Sequence, residues 1–509
     1  MRRSLARLLA VLVLFSILAA ACGSDRDDET SSGDDTASTD DGSGDGTTAD
    51  GTTADGETTD AAADGTTDGE TTDGETTDGS TDEATDGTTS DAAIFGDDLA
   101  WPCSAGDASG ATEQGVTDTT ITIGVGDDRG FSGSPGLNKE QTDAILAFVD
   151  ACNEMGGING RTIEAVEYDA AIFNAQQVMT EACDQVFMLV GEGWSLDDQA
   201  EEIRVNCGLA AVPAWSVSAQ FAHGPMMRQA VANPADQQAM SQPAQVAELF
   251  PDAIGNSGIM YANYPATEQT KDKVLASWPS LGYDFTVDLA YNISGEEDWT
   301  PFVRQLQDGG ATHVYFTGSC LPNYQQLRQA TALNEFDAIW TAEANFYETK
   351  CAEANADGAM DETYIRMAFI PFEEASANKA TQDFLDVLGA AGADPSLLGA
   401  QAASSFMLWA TAVQACGSDV TRQCVIDQID AIDEWTTGGL HVPMTPRDNA
   451  MPNCGMLVKL EGTGYVRVAP EEPGTFACDD AWRQTIDTAA VQAVQLDENR
   501  VSTLYTAGG

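Results

Sequence analysis

Few residue constellations in this chain could do covalent chemistry. The sequence has no Gly-x-Ser-x-Gly elbow, no phosphate-cradling Gly-x-x-x-x-Gly-Lys-[Ser/Thr] loop and no His-Glu-x-x-His zinc helix. The three histidines, His223, His313 and His441, are scattered, and no Cys-x-x-Cys pair exists, so the spacing of a zinc site is missing. Gly124-Val-Gly126-Asp-Asp-Arg-Gly130 approaches a dinucleotide fingerprint but has one residue too many, and it reads as a cleft loop. Asp41-Gly-Ser-Gly-Asp45-Gly46 begins like a calcium loop, yet position twelve is Thr52 where a Glu is needed. The many carboxylates read as a solvated face. The chain is therefore expected not to be an enzyme and to carry no metal or cofactor.

The elements that would position a site alternate between strand and helix. Ile121–Val125 is a short β run ending in a Gly-rich loop. Lys139–Met155 follows as a helix, with Ile145, Phe148, Val149 and Cys152 on one face, and Gly156-Gly157 stops it. The series continues through strands at Thr162–Tyr168, Phe187–Val190 and Leu209–Val212, with helices at Asn174–Gln185 and Leu196–Val205. It restarts with Ile259–Tyr261, a helix to Trp278, and the strand Phe285–Tyr291. A helix near Pro301–Gln307, the strand Thr312–Thr317, the helix Tyr324–Asn334 and the strand Ala338–Thr341 complete it. This alternation predicts an α/β fold with two doubly wound, Rossmann-like lobes, each a parallel sheet covered on both faces. Ligands bind such sheets beyond the carboxyl ends of the strands, so two lobes predict a cleft between facing loops.

Charge is distributed unevenly along the 509 residues, which carry 82 acids, 22 Lys and Arg, and a net charge of −60. Nucleic acid is set aside as a partner, and attraction to anionic lipid is disfavoured. Arg2, Arg3 and Arg7 precede the apolar run Leu8–Leu18 and then Ala19-Ala20-Ala21-Cys22. The run has the length of a secretory h-region rather than a membrane span. Small residues followed at once by Cys resemble a bacterial lipoprotein signal, which implies a signal peptide over 1–22 and lipidation of Cys22. Residues 23–92 repeat Asp-Gly-Thr-Thr and Asp-Gly-Glu-Thr-Thr with almost no aliphatic side chain, and they read as a disordered acidic linker. With an anchored start, such a linker would serve as a tether.

A more specific likeness lies in the ordered segments. Gly115-Val-Thr-Asp118 precedes Ile121-Thr-Ile-Gly124, and Ser132-Gly133 sits in the loop after it. Asn153-Glu-Met-Gly-Gly-Ile-Asn-Gly-Arg161 leads to Glu167-Tyr-Asp169, followed by Phe187–Gly191, Val314–Gly318 and Ile339–Glu343. Across roughly residues 115–470 this order resembles the type I periplasmic binding proteins, specifically the Leu/Ile/Val-binding receptors of ABC transporters. The resemblance implies a domain over 93–485 and three crossing segments, near Gln229–Pro234, Ile370–Glu373 and Thr437–Val442. Lobe 1 would comprise about 115–231 and 372–438, lobe 2 about 232–371 and 439–485, with 486–509 a C-terminal tail. It further implies a monomeric, exported lipoprotein on the outer face of the cytoplasmic membrane. That protein would hand a small molecule, an amino acid or related amine or amide, to a permease. A ligand-sensing receptor of the same fold, acting in signalling, is the alternative.

An amino acid brings a carboxylate that needs hydroxyl and N–H donors, and an ammonium that needs oxygens. On the resemblance, Ser195 and Ser216 match hydroxyl and N–H positions of lobe 1, in Glu192-Gly-Trp-Ser195 and Pro213-Ala-Trp-Ser216. Trp194 and Trp215 would wall the pocket, Tyr264 and Ser319 would enter from lobe 2, and Glu343 matches the ammonium-binding Glu. The two Trp are bulkier than a leucine pocket calls for and suit an aromatic or larger ligand.

Apart from Cys22, ten cysteines remain, an even number that suits export and disulfides. Cys183–Cys207, Cys416–Cys424 and Cys454–Cys478 join local neighbours. Cys320–Cys351 is a further pair, and Cys103–Cys152 is what remains.

Overall fold

The structure, a computed structural model, describes residues 93–505; the signal peptide with Cys22, the acidic linker 23–92 and the last residues of the tail lie outside the described residues. The first sheet is formed by β1 (Thr120–Asp127), β2 (Thr162–Asp169), β3 (Met188–Val190) and β4 (Ala210–Val212), in the order β2-β1-β3-β4. All three pairings are parallel, and β1 and β2 run in register from Thr120↔Thr162 to Asp127↔Asp169. β3 and β4 are buried at every position, as strands covered on both faces must be.

The second sheet contains β5 (Ser257–Ala262), β6 (Phe285–Tyr291), β7 (His313–Thr317), β8 (Ile339–Ala342) and β9 (Thr363–Met367), extended by β10 (Cys454–Glu461) and β11 (Gly464–Ala469). Its order is β11-β10-β9-β8-β7-β5-β6. The stretch from β9 to β6 is parallel, while β10 and β11 add as an antiparallel ribbon. The sheets are thus the cores of two α/β lobes.

Between β9 and β10 the chain returns to the first lobe. There Leu397–Cys416 packs against the helix Lys139–Glu154 and against β3 and β4. This helix is apolar on all sides and accordingly buried through most of its length. Its Ser404 hydroxyl meets Thr437 at 2.6 Å and His441 Nε2 at 2.9 Å, and accepts the Trp435 indole N–H at 3.0 Å. The segment returning to β10 is thereby pinned to the first lobe. It also lies beside the outgoing one: the Ile370 N–H donates to the Leu440 carbonyl at 3.0 Å, and the Val442 N–H to that of Ala368 at 2.9 Å.

The Gly-Gly turn has a steric cause. Gly157 has φ 76°, and a Cβ there would sit 2.0 Å from the Arg161 carbonyl oxygen. Arg161 is buried and donates to the carbonyls of Thr117, Gly110 and Gly417 at 3.0–3.1 Å, which ties this turn to the loops around it.

Five disulfides, Cys103–Cys152, Cys183–Cys207, Cys320–Cys351, Cys416–Cys424 and Cys454–Cys478, join the ten cysteines among the described residues. The helices Ser241–Leu249, Lys379–Ala391 and Arg422–Asp430 go beyond the sequence reading. So does the order of the C-terminal segment. Arg483–Thr485 pairs with Gln237–Ala239, and the helix Ala489–Val494 packs near the short helix Ala219–Ala222. Arg500 then grips Asp236 at 2.5 and 2.8 Å and donates to the Asp448 and Asn449 carbonyls. His223 Nε2 accepts the Ala235 N–H at 3.1 Å, so Nδ1 carries the proton donated to the Arg500 carbonyl at 2.8 Å.

Candidate functional site

The parallel strands of both sheets end at one cavity of about 220 Å³. From the first lobe, Phe131 and Ser134 follow β1, Ile172 follows β2, Ser195 follows β3, and Trp215 and Ser216 follow β4. From the second, Tyr264 follows β5, Ile293 follows β6, Ser319 follows β7, Glu343 follows β8, and Arg366 lies at the end of β9. Both sheets thus present their carboxyl edges to the same space, where open α/β sheets bind ligands. Side chains also join the lobes around it. The Ser134 hydroxyl donates to the Leu321 carbonyl at 3.1 Å, and Lys350 Nζ lies 2.7 Å from Glu140 and 3.4 Å from Glu348.

Six of the seven residues expected at a ligand line this cavity: Ser195, Trp215, Ser216, Tyr264, Ser319 and Glu343. Trp194 does not. It is buried in the core of the first lobe, its ring against Gly126, where a Cβ would lie 2.6 Å away. Trp194 is therefore lobe packing rather than pocket wall. Trp215 takes the wall, because Gly193 leaves room for its indole: a Cβ there would fall 2.2 Å from Nε1. The indole N–H donates to Gln141 Oε1 at 2.6 Å, and the Gln141 amide donates in turn to the Gly126 and Gly193 carbonyls at 2.6 and 3.0 Å. The ring is thereby tied to the helix Lys139–Glu154 and, through Gln141, to β1 and the loop after β3.

The loop read as a near-dinucleotide fingerprint organises this wall. Asp128 accepts the Ser195 N–H at 2.8 Å, the Ser195 hydroxyl at 2.7 Å and the Ile172 N–H at 2.7 Å. Burial raises its carboxyl to about 6, against the lowering effect of those bonds. The Ile172 bond holds a β-branched residue at φ 67°, a left-handed conformation that such residues avoid. Ile172 thereby reaches the cavity beside Phe131.

Three charged side chains line the cavity: Glu343, Lys273 and Arg366. Glu343 accepts the Tyr315 hydroxyl through one oxygen and faces Arg366 Nη2 at 3.7 Å through the other. Lys273, on the helix Pro265–Ser277, donates to the Pro234 carbonyl at 3.0 Å and Asn233 Oδ1 at 3.3 Å. Burial lowers its ammonium to about 8, with Glu343 opposing the shift. Sequence reasoning missed both cations. A base inside Thr-Tyr-Ile-Arg-Met, an otherwise uncharged strand run, was the available signal.

A cavity framed by the parallel strands of two sheets, with walls from both lobes, is the arrangement of a solute-binding cleft. Residues 120–464 match the family model described as a periplasmic binding protein, and the chain belongs to that family. Solved structures of similar fold include a fatty acid ABC transporter substrate-binding protein from Thermomonospora curvata (TM-score 0.61, 17% identity, covering 78% of this chain and 100% of that one). A solute-binding protein from R. palustris in complex with benzoate is also similar (TM-score 0.56, 15% identity, 71% of this chain and 98% of that one). So is a branched-chain amino acid transporter binding protein from Streptococcus pneumoniae in complex with isoleucine (TM-score 0.55, 17% identity, 69% and 100%). No curated protein matches the chain. The fold is that of the type I periplasmic binding proteins, and the family places the protein among binding proteins that work outside the cytoplasm. The family and these neighbours are binding proteins rather than enzymes. No helix among the described residues is long and apolar enough to cross a membrane.

Proposed function

We propose that this protein captures a small organic solute in the inter-lobe cavity and delivers it to an ABC-transporter permease. The ligand class is an amino acid or related amine or amide. The observation that carries this reading is the convergence of nine parallel strand ends, four from one sheet and five from the other, on one cavity lined by both apolar and polar side chains. Ser195 and Ser216 present hydroxyl oxygens whose protons go to Asp128 and Gln229, while Glu343 and the Gln401 Oε1, without a partner among the described residues, offer acceptors for an ammonium or amide. Fatty acid, benzoate and isoleucine, named with the similar structures, each pair a charged group with an apolar body. Mass spectrometry of molecules released by denaturing the purified protein tests the reading. Release of no small molecule, with no binding in a screen of amino acids and organic acids, would remove it. Trp215→Ala should weaken the identified ligand at least about tenfold in calorimetry, because it opens the wall and frees Gln141.

The receptor reading includes an anchor. A lipid on Cys22 and a tether over 23–92 would hold the domain near its permease. Cys22→Ala should then release the protein into the medium, as fractionation and blotting would show. A variant that stays with the membrane as fully as the parent would contradict the anchor.

A further inference from the structure

We propose that lobe 2 contains an anion subsite formed by Lys273 and Arg366, and that the ligand is a monocarboxylate whose charged end lies there while its apolar body faces Trp215 and Leu397. The proposal rests on the receptor reading above and departs from it in ligand class and orientation, putting a monoanion in place of the amino acid, amine or amide.

The cavity's charge balance is the starting point. Two cations and one carboxylate line it, a balance of +1 inside a chain of net charge −60. The carboxylate is already served, since its oxygens meet the Tyr315 hydroxyl and the Arg366 guanidinium. The cations are not. Lys273 Nζ has two neutral oxygens as partners, and among the described residues no carboxylate oxygen lies within 4.0 Å of it. Arg366 has a single acidic neighbour at 3.7 Å, too long for the paired bonds that a guanidinium fork can make. Burying an ammonium without a counter-ion is costly, and its lowered proton affinity records that cost. An anion entering beside both groups would offset it.

The chemistry of the rest of the cavity narrows the class. One uncompensated positive charge matches a monoanion and leaves a dianion such as a phosphomonoester in excess. A carboxylate also fits the planar guanidinium. From the first lobe, Phe131, Ile172, Trp215, Val217 and Leu397 line the cavity beside the hydroxyls of Ser134, Ser195 and Ser216 and the amides of Asn138 and Gln401, and no charged side chain of that lobe joins them. The anion would therefore sit on the second lobe, the reverse of the orientation in which Ser195 and Ser216 hold a carboxylate and Glu343 an ammonium.

The test uses the full chain, freed of bound ligand by dialysis from mild urea with its disulfides intact. Calorimetry at pH 7 compares hexanoate, benzoate and 3-phenylpropionate with their amides. At least one carboxylate should bind tenfold or more tightly than its amide. Lys273→Gln and Arg366→Gln should each weaken it by tenfold or more, and Glu343→Gln should tighten it severalfold by removing the one negative charge. Amides binding as well as carboxylates, or silence of both cation variants, would overturn the proposal, as would weakening by Glu343→Gln. If none of the six probes binds, the molecule released from the purified protein decides. A monocarboxylate weakened by both cation variants supports the subsite. A neutral or purely cationic molecule overturns it while the receptor reading stands. No released molecule and no binding of amino acids either would remove both.

Discussion

Glu192→Gln is expected to stabilise the protein by about 3 kcal/mol at pH 7 and to change little at pH 5. Glu192 follows β3 and opens the loop that carries Ser195 to the cavity. Its carboxyl is fully buried, and neither oxygen has a side-chain or backbone hydrogen-bond partner among the described residues. Burial raises its pKa from 4.5 to about 8. The folded state therefore holds a proton across that window which the unfolded chain has released. Stability from this group is full below pH 4.5 and is lost as pH rises towards 8. At about 1.36 kcal/mol per pH unit, the loss at pH 7 is about 3 kcal/mol. Gln keeps the shape of the protonated acid and cannot ionise. Asp197 is also buried and raised, to about 7, so the parent protein's stability should fall over the same range. Urea unfolding at pH 5 and pH 7 measures both effects. An equal shift at the two values would mean that Glu192 does not ionise on unfolding as argued.

Arg204→Met should cost about 3–5 kcal/mol, because it leaves a buried carboxylate without its counter-ion. Glu201 and Arg204 are both fully buried in the first lobe and meet through two bonds of 2.6 and 2.7 Å. The same guanidinium donates to the Leu209 carbonyl at 2.7 Å and the Pro225 carbonyl at 2.9 Å, fastening its helix to the start of β4 and to the loop beyond. Removing the pair together, as Glu201→Leu with Arg204→Met, should cost much less than Arg204→Met alone. The carbonyl bonds stay lost in both, so the difference isolates the stranded charge. A double variant as unstable as the single would show that the carbonyl bonds, not the ion pair, dominate. Lys is no equivalent replacement, since one ammonium cannot span four oxygens in this planar arrangement.

Local pattern was sufficient for much of this fold. β6 begins and ends where its sequence run does, and the helix Lys139–Glu154 carries all four of its expected apolar positions inward. Alternation of apolar residues and helix periods are properties of ten or so neighbours, so they survive without knowledge of the rest. The loops bearing six cavity residues were legible for a related reason: a parallel strand must be followed by a loop at its carboxyl end, and ligands meet that end. The segment 486–505 was not legible. Its one helix is six residues long, and its order depends on Asp236, His223 and Asp448, up to 277 positions away.

The site shows the same division residue by residue. The sequence determined that Trp194 and Trp215 each precede a serine just after a buried strand. It did not determine which ring faces outward. That was decided by two glycines on other turns of the chain, Gly126 admitting Trp194 to the core and Gly193 seating Trp215 on the wall. Lys273 lies in Thr-Lys-Asp-Lys, which reads as a solvated helix face, and only its contacts with Asn233 and Pro234, about 40 residues away, place it as a cavity cation. Glu343 was placed at the cavity by its strand. Its neighbours Tyr315 and Arg366 come from the adjacent strands β7 and β9, and they decide how much of its charge a ligand would meet. Backbone periodicity is encoded locally and can be read locally. Charge compensation depends on groups brought together from distant parts of the chain, and only the tertiary structure fixes it.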